Sequence, residues 1–294
     1  MSSENLRGIG LMVLSMALFA VEDLFLKLAA GGLPTGQVLF MAGLLSVAVF
    51  TLFAWRSGER ILTRRLSHRA VVVRNLGEMV ATVGYITALA SVPLATVSAV
   101  LQALPLGVTL GAALFLNQPV GWRRWAAILV GFAGVLLVIR PGLEGFEPAA
   151  LWVLPCVAGL VVRDLATRFI PADCSTTQVS AWGMGAVAIL GAGMMAYQGA
   201  DMLPAAAPLA FVVAAALFGT GGYAAVVAAT RHGDVAVVSP FRYARLLFAV
   251  VIGMAVLGEM PDRLTWAGAA LIVLSGLYSF ARERKRKAAL SLGS

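Results

Sequence analysis

Ten apolar runs, most close to twenty residues long, dominate this chain of 294 residues. At the helical rise of about 1.5 Å per residue, roughly 20 apolar residues span the ~30 Å hydrocarbon core of a bilayer. The runs fall at 8–29, 36–55, 70–91, 94–115, 121–139, 149–169, 177–197, 207–228, 234–256 and 263–281. A chain crossing lipid must satisfy its backbone hydrogen bonds internally, and segments of this length do so as helices. The expectation is an all-α integral membrane protein of ten transmembrane helices. Turn residues separate the runs: Gly-Gly-Leu-Pro at 31–34, Ser-Val-Pro at 91–93, Pro-Val-Gly at 119–121 and Arg-Pro-Gly at 140–142. The third and fourth runs are nearly continuous, so nine spans is the nearest alternative count. The first run is too long for a signal-peptide core and contains Glu22, Asp23 and Lys27, so it is expected to remain as the first membrane helix.

Charge supports the same class and orients it. Residues are 60% hydrophobic and 12% charged, against roughly 25% charged in soluble domains. A net charge of +8 would suit a nucleic-acid partner, but most basic residues lie in short segments between apolar runs. That placement marks cytoplasmic loops facing anionic lipid. With the N-terminus inside, fifteen Lys and Arg fall on the cytoplasmic side, Arg140 and Arg263 on the other, and five within helices. Both termini are therefore expected in the cytoplasm, which requires an even number of spans. Cys156 and Cys174 have neither a disulfide framework nor metal-ligand spacing, and no cofactor or metal is expected.

The second half repeats the first at an offset of 141 residues. Val21-Glu22-Asp23-Leu24 superposes on Val162-Arg163-Asp164-Leu165, Lys27 on Arg168, and Gln37-Val38 on Gln178-Val179. Val97-Ser98 falls on Val238-Ser239, and Trp125-Ala126 on Trp266-Ala267. Five helices per copy is an odd number, so the copies enter from opposite sides as an inverted-topology repeat. The expected units are 8–141, 149–282 and a basic cytoplasmic tail at 283–294.

Nine charged residues fall inside the predicted helices: Glu22, Asp23, Lys27, Arg74, Glu78, Arg163, Asp164, Arg242 and Arg245. Each costs at least ~2.5 kcal/mol at mid-membrane unless it has a partner, water or a function. Their near-neutral sum of +1 also fits internal ion pairing. Arg74 and Glu78, four apart, share a helix face and can neutralise each other. Lys27 is placed to snorkel, and Glu22 to pair with Arg163 across the repeats. Glu22, Asp23, Arg163 and Asp164 read as ion-pair members, with the carboxylates also open to a proton. Arg242 and Arg245 are the sharpest signal, three apart on one face with no acidic residue in the interior of helices seven to nine. Either a carboxylate from elsewhere reaches them or they meet an anionic group of a solute, which arginine binds bidentately. Pro105, Pro155 and Pro240 are candidate kinks, Gly131 and Gly134 read as packing residues, and the tryptophans other than Trp182 read as interfacial anchors.

Val120-Gly121-Trp122-Arg123-Arg124-Trp125, leading into Gly131-Phe132-Ala133-Gly134-Val135 and ending Ile139-Arg140-Pro141-Gly142, resembles the EamA branch of the drug/metabolite transporter superfamily. The resemblance covers nearly the whole chain. It implies a multi-pass permease or exporter of the bacterial inner membrane, with a path lined by the third, fourth, eighth and ninth helices. Arg74, Glu78, Tyr85, Gln102, Tyr223, Arg242 and Arg245 would then lie near that path. A Leu-Gly-Glu motif common among relatives is intact at Leu257-Gly258-Glu259, whereas the first copy reads Leu116-Asn117-Gln118. Relatives with an acidic residue and a lysine in helix one often also carry an arginine in helix two, where this chain has Met41-Ala42-Gly43.

The leading expectation is a secondary transporter of small organic metabolites bearing an anionic or zwitterionic group, such as amino acids, working by alternating access. A riboflavin or nucleotide-like cargo is the alternative within the family. A membrane-embedded enzyme or a non-transporting interaction protein is the alternative from another class. His68 and His232 lie in predicted loops, and no nucleophile motif or nucleotide-binding loop appears. The expected partners are a small solute, the lipid bilayer and, for a coupled carrier, a proton.

Overall fold

The computed structural model describes residues 3–200, 206–232 and 234–291, which among themselves form helices and no strands. The helices are α1 (Ser3–Ala30), α2 (Thr35–Arg56), α3 (Arg69–Ser91), α4 (Leu94–Leu101), α5 (Leu104–Phe115) and α6 (Trp122–Ile139). They continue with α7 (Val153–Thr167), α8 (Thr176–Gln198), α9 (Ala206–His232), α10 (Val235–Val238), α11 (Ala244–Val256) and α12 (Arg263–Ser291). Short 3₁₀ turns cover Arg64–Ser67, Pro148–Trp152 and Ser239–Tyr243.

Nine helical stretches among the described residues are long and apolar enough to cross a membrane, so the chain is a multi-pass membrane protein. The third expected span, at 70–91, coincides with α3, which has 23 residues but is not among the nine. Arg74, Asn75 and Glu78 dilute its apolar character. The third and fourth spans, nearly fused in sequence, separate at Val92–Pro93, where proline cannot continue a helical hydrogen-bond ladder. Local chemistry sets other ends. Ser175 and Gln178 form a reciprocal capping box on α8, and α6 stops where Arg140 turns left-handed at φ 45°. Pro155 lies in the first turn of α7, where it breaks no hydrogen bond, so it does not act as a kink.

The helices pack as two compact units, and these are not the two sequence repeats. One unit comprises Met1–Val21, Pro93–Pro148 and Gly221–Ser294; the other comprises Glu22–Val92 and Ala149–Thr220. Each draws helices from both halves of the chain. In the first unit α6 lies against α12, with Gly134 and Gly268 at the crossing; a Cβ on either would stand 2.8 or 2.6 Å from the other's carbonyl oxygen. Gly134 thus serves packing, as its sequence context suggests. In the second unit α2 packs on α8 and α3 on α7. A satellite core of Val71, Val179 and Trp182 is closed by Ile61, Ile170 and Cys174. Trp182 is buried and donates Nε1–H to the Ile61 carbonyl at 2.7 Å. Trp55, Trp122, Trp125, Trp152 and Trp266 are all exposed near helix ends, as interfacial anchors would be.

Candidate functional site

In the second unit the site begins where α3 crosses α7. A Cβ on Gly77 would stand 2.7 Å from the Gly159 carbonyl oxygen, and one on Gly159 would stand 2.6 Å from that of Gly77. Only glycine permits so close a crossing, and it brings the residues that follow into contact. Glu78 lies 3.3 Å from Arg163 Nη1 and 3.2 Å from Arg74 Nη2. Arg163 also holds Asp164 at 2.9 Å, and Arg74 donates to Asn75 Oδ1 at 3.3 Å. Gly183 of α8 leaves room for the Arg74 guanidinium, since a Cβ there would be 2.3 Å from Nη1. Two guanidiniums and two carboxylates form a network of zero formal charge, with Glu78 buried at its centre. Arg74 and Glu78 therefore form the expected i,i+4 pair.

The expected Glu22–Arg163 pair does not form. Glu22 instead packs on α9, where a Cβ on Gly219 would lie 2.3 Å from its Oε1. The 141-residue offset maps Glu22 onto Arg163 and Glu78 onto Gly219, so Glu22 against Gly219 and Arg163 against Glu78 are equivalent contacts in the two repeats. Asp23 is fully buried and accepts from the Tyr85 hydroxyl. Lys27, one turn later, does not snorkel. Its Nζ donates to the carbonyls of Leu89 at 3.2 Å and Val92 at 2.5 Å, capping the C-terminal end of α3.

In the first unit the fourth and ninth spans are both interrupted. The fourth breaks at Gln102–Ala103 between α4 and α5, with Pro105 in the first turn of α5. The ninth breaks in the 3₁₀ turn Ser239–Tyr243 between α10 and α11, with Pro240 inside it. The offset superposes the breaks, Gln102 falling on Tyr243. Gln102 Nε2 donates to the Arg242 carbonyl at 3.4 Å, a long bond that ties one break to the other. Arg242 is exposed, and the half-buried Arg245 stacks its guanidinium over Phe19 at 5.3 Å. Tyr223, on α9 in this unit, is half-buried. The residues marked by sequence therefore divide between the units: Arg74, Glu78, Tyr85, Glu22, Asp23, Arg163 and Asp164 in one, Gln102, Tyr223, Arg242 and Arg245 in the other.

Two further residues contribute. Tyr243 lies between the two arginines and packs on Gly276, with its hydroxyl buried and without a protein hydrogen-bond partner. Its position opposite Gln102 in the repeat was the available signal. Glu259, noticed only as part of a motif, accepts a hydrogen bond from the Leu94 amide at 2.7 Å. No cluster of three or more potential metal ligands occurs among the described residues.

Comparison with known proteins decides the family. The profile of the EamA-like transporter family matches the chain twice, at residues 6–140 and 148–280. The chain belongs to this family. Among curated relatives, a riboflavin transporter of Rhizobium johnstonii is 28% identical over 84% of this chain and 77% of its own. An S-adenosylmethionine uptake transporter of Rickettsia felis is 24% identical over 95% and 94%. A pseudopaline exporter of Pseudomonas aeruginosa is 24% identical over 91% and 94%. One crystal structure aligns over 97% of this chain and 99% of the other with a TM-score of 0.62 at 20% identity, which shows a shared fold. This EamA protein is a membrane transporter of small metabolites, in the drug/metabolite transporter superfamily. Both EamA matches contribute helices to both packing units.

Proposed function

We propose that this EamA protein is a secondary transporter of ten spans with both termini cytoplasmic. It moves small organic metabolites bearing an anionic or zwitterionic group across the bacterial inner membrane by alternating access. The observation that carries this reading is the 3₁₀ turn Ser239–Tyr243 of the ninth span, which holds Arg242, with Arg245 in the first turn of α11. A 3₁₀ turn inside a membrane span re-aims the side chains it carries, and guanidiniums there suit a carboxylate. Gln102 and Tyr223, in the same unit, would add hydrogen bonds to the solute. A coupling proton would fall to a carboxylate among Glu22, Asp23, Glu78 and Asp164. In this reading α3 is the third of the ten spans, its charges neutralised within the protein.

The names of the relatives favour a second reading of the cargo, a nucleoside- or flavin-like metabolite. S-adenosylmethionine joins a nucleoside to an amino-acid head, so it probes both readings at once. The test is uptake and counterflow in proteoliposomes containing the purified protein, with and without a pH gradient. The panel holds amino acids, S-adenosylmethionine and riboflavin. Transport of an anionic or zwitterionic solute well above empty liposomes, with KM raised about tenfold or more in Arg245→Gln, is the expected result. Inert vesicles under every gradient, or Arg245→Gln transporting like the wild type, would overturn it.

A further inference from the structure

We propose that Glu259 is a positioning residue for transport: its carboxylate supplies the N-terminal cap that α4 lacks and holds the two interrupted spans in register. The proposal rests on the carrier reading only for what that register serves. The first amides of any helix have no partner within it. At the start of α4 the N-cap is Pro93, which has no side-chain acceptor, and Leu94 is fully buried. Its N–H would be left unsatisfied away from water. Glu259, just past the end of α11, accepts that N–H through Oε2 at 2.7 Å. A carboxylate is also the group best matched to the positive end of a helix.

The backbone that aims Glu259 is built for the purpose. Gly258 turns left-handed at φ 66°, and the amides of Leu257 and Glu259 both return to the Gly253 carbonyl, at 3.2 and 2.9 Å. Gly253 leaves room for the side chain, since a Cβ there would stand 3.0 Å from Oε2. The first repeat forms the same turn without the function. Asn117 is left-handed at φ 50°, and the amides of Leu116 and Gln118 return to Ala112 at 3.1 and 3.2 Å. Ala112 stands in the place of Gly253, and Gln118 is exposed. The residue matching Pro93 is Asp234, whose own amide donates to Asn5 Oδ1 at 2.9 Å, and Gln118 carries no carboxylate. The carboxylate cap thus belongs to one repeat only. It ties the end of the ninth span to the start of the fourth, while Gln102 and the Arg242 carbonyl tie their breaks. Loss of the first tie would let α4 shift and move Gln102 relative to Arg242.

The test compares wild type, Glu259→Ala and Glu259→Gln, full length in lipid nanodiscs, by hydrogen exchange of the α4 amides. The same three proteins are assayed for S-adenosylmethionine counterflow in proteoliposomes. Glutamine keeps an acceptor oxygen and alanine does not. Exchange over Leu94–Val97 should rise at least tenfold in Glu259→Ala and stay within about threefold of wild type in Glu259→Gln. KM should rise at least fivefold in the alanine variant and recover in the glutamine variant. Unchanged exchange in Glu259→Ala, or equal exchange in both variants, overturns the proposal. Faster exchange with a wild-type KM overturns it too, because the residue would then be a cap without a role in transport. A wild type inert towards every solute is a failure of the carrier reading, and the exchange data, which need no solute, tell that failure apart.

Discussion

Arg163 reaches Glu78 at 3.3 Å across the crossing of α3 and α7, and Arg74 holds the same carboxylate from the other side at 3.2 Å. Removing Glu78 takes one carboxylate from two guanidiniums, while Arg163 keeps Asp164 and Arg74 keeps Asn75. Glu78→Ala is expected to destabilise the protein by about 1–3 kcal/mol, less than the loss of a lone buried pair. A Glu78→Leu/Arg163→Leu double variant should recover part of that loss. Thermal unfolding in detergent compares them.

The crossing itself is the next target. A methyl at Gly77 or Gly159 would meet backbone atoms, which cannot rotate away. Gly77→Ala and Gly159→Ala are each expected to cost about 1–3 kcal/mol through overpacking. Gly10→Ala, where nothing lies within 4 Å, should be neutral or slightly stabilising. The same unfolding measurement separates the three.

Lys27 should prove structural. Lys27→Met deprives the Leu89 and Val92 carbonyls of their donor, at a cost of about 1–3 kcal/mol for hydrogen bonds from a charged group. Lys27→Arg should retain most of the stability. A Lys27→Met protein with a wild-type melting temperature would refute the capping role.

Acid should weaken one loop in particular. The Asp262 carboxyl is held down at about 2, chiefly by the Thr265 amide it accepts and then by the Thr265 hydroxyl and Arg140. A carboxyl depressed on folding contributes its stability above the ordinary value of about 3.9 and loses it as pH falls towards 2. Its side chain is 43% exposed, so solvent screening limits the contribution to no more than about 1 kcal/mol. The gap in melting temperature between wild type and Asp262→Asn should be constant from pH 7 to 5 and close below pH 4.

Much of the fold was legible because the bilayer permits few solutions. The length of each apolar run and the turn residues between them located the helices to within a few residues at most ends. The pairing partners of charges were less legible. Glu22 and Arg163 are opposite in charge and aligned by the repeat, but Glu22 lies against Gly219 and Arg163 against Glu78. Lys27 looked like a snorkelling residue because α3, whose carbonyls it caps, ends 61 residues after α1.

The sequence by itself determined the membrane class, the helical segments, the 141-residue repeat and the family, because each is written in local hydropathy or in a constant offset. Only the tertiary structure decided how those segments are grouped and which groups meet. The packing units cut across the repeats, and the four-residue ion network forms at a glycine crossing between helices from different halves. A carboxylate just past the ninth span caps the fourth across 165 residues. Spacing along a helix fixes which face a residue occupies, but whether another backbone comes close enough to use that face is settled only by three-dimensional packing.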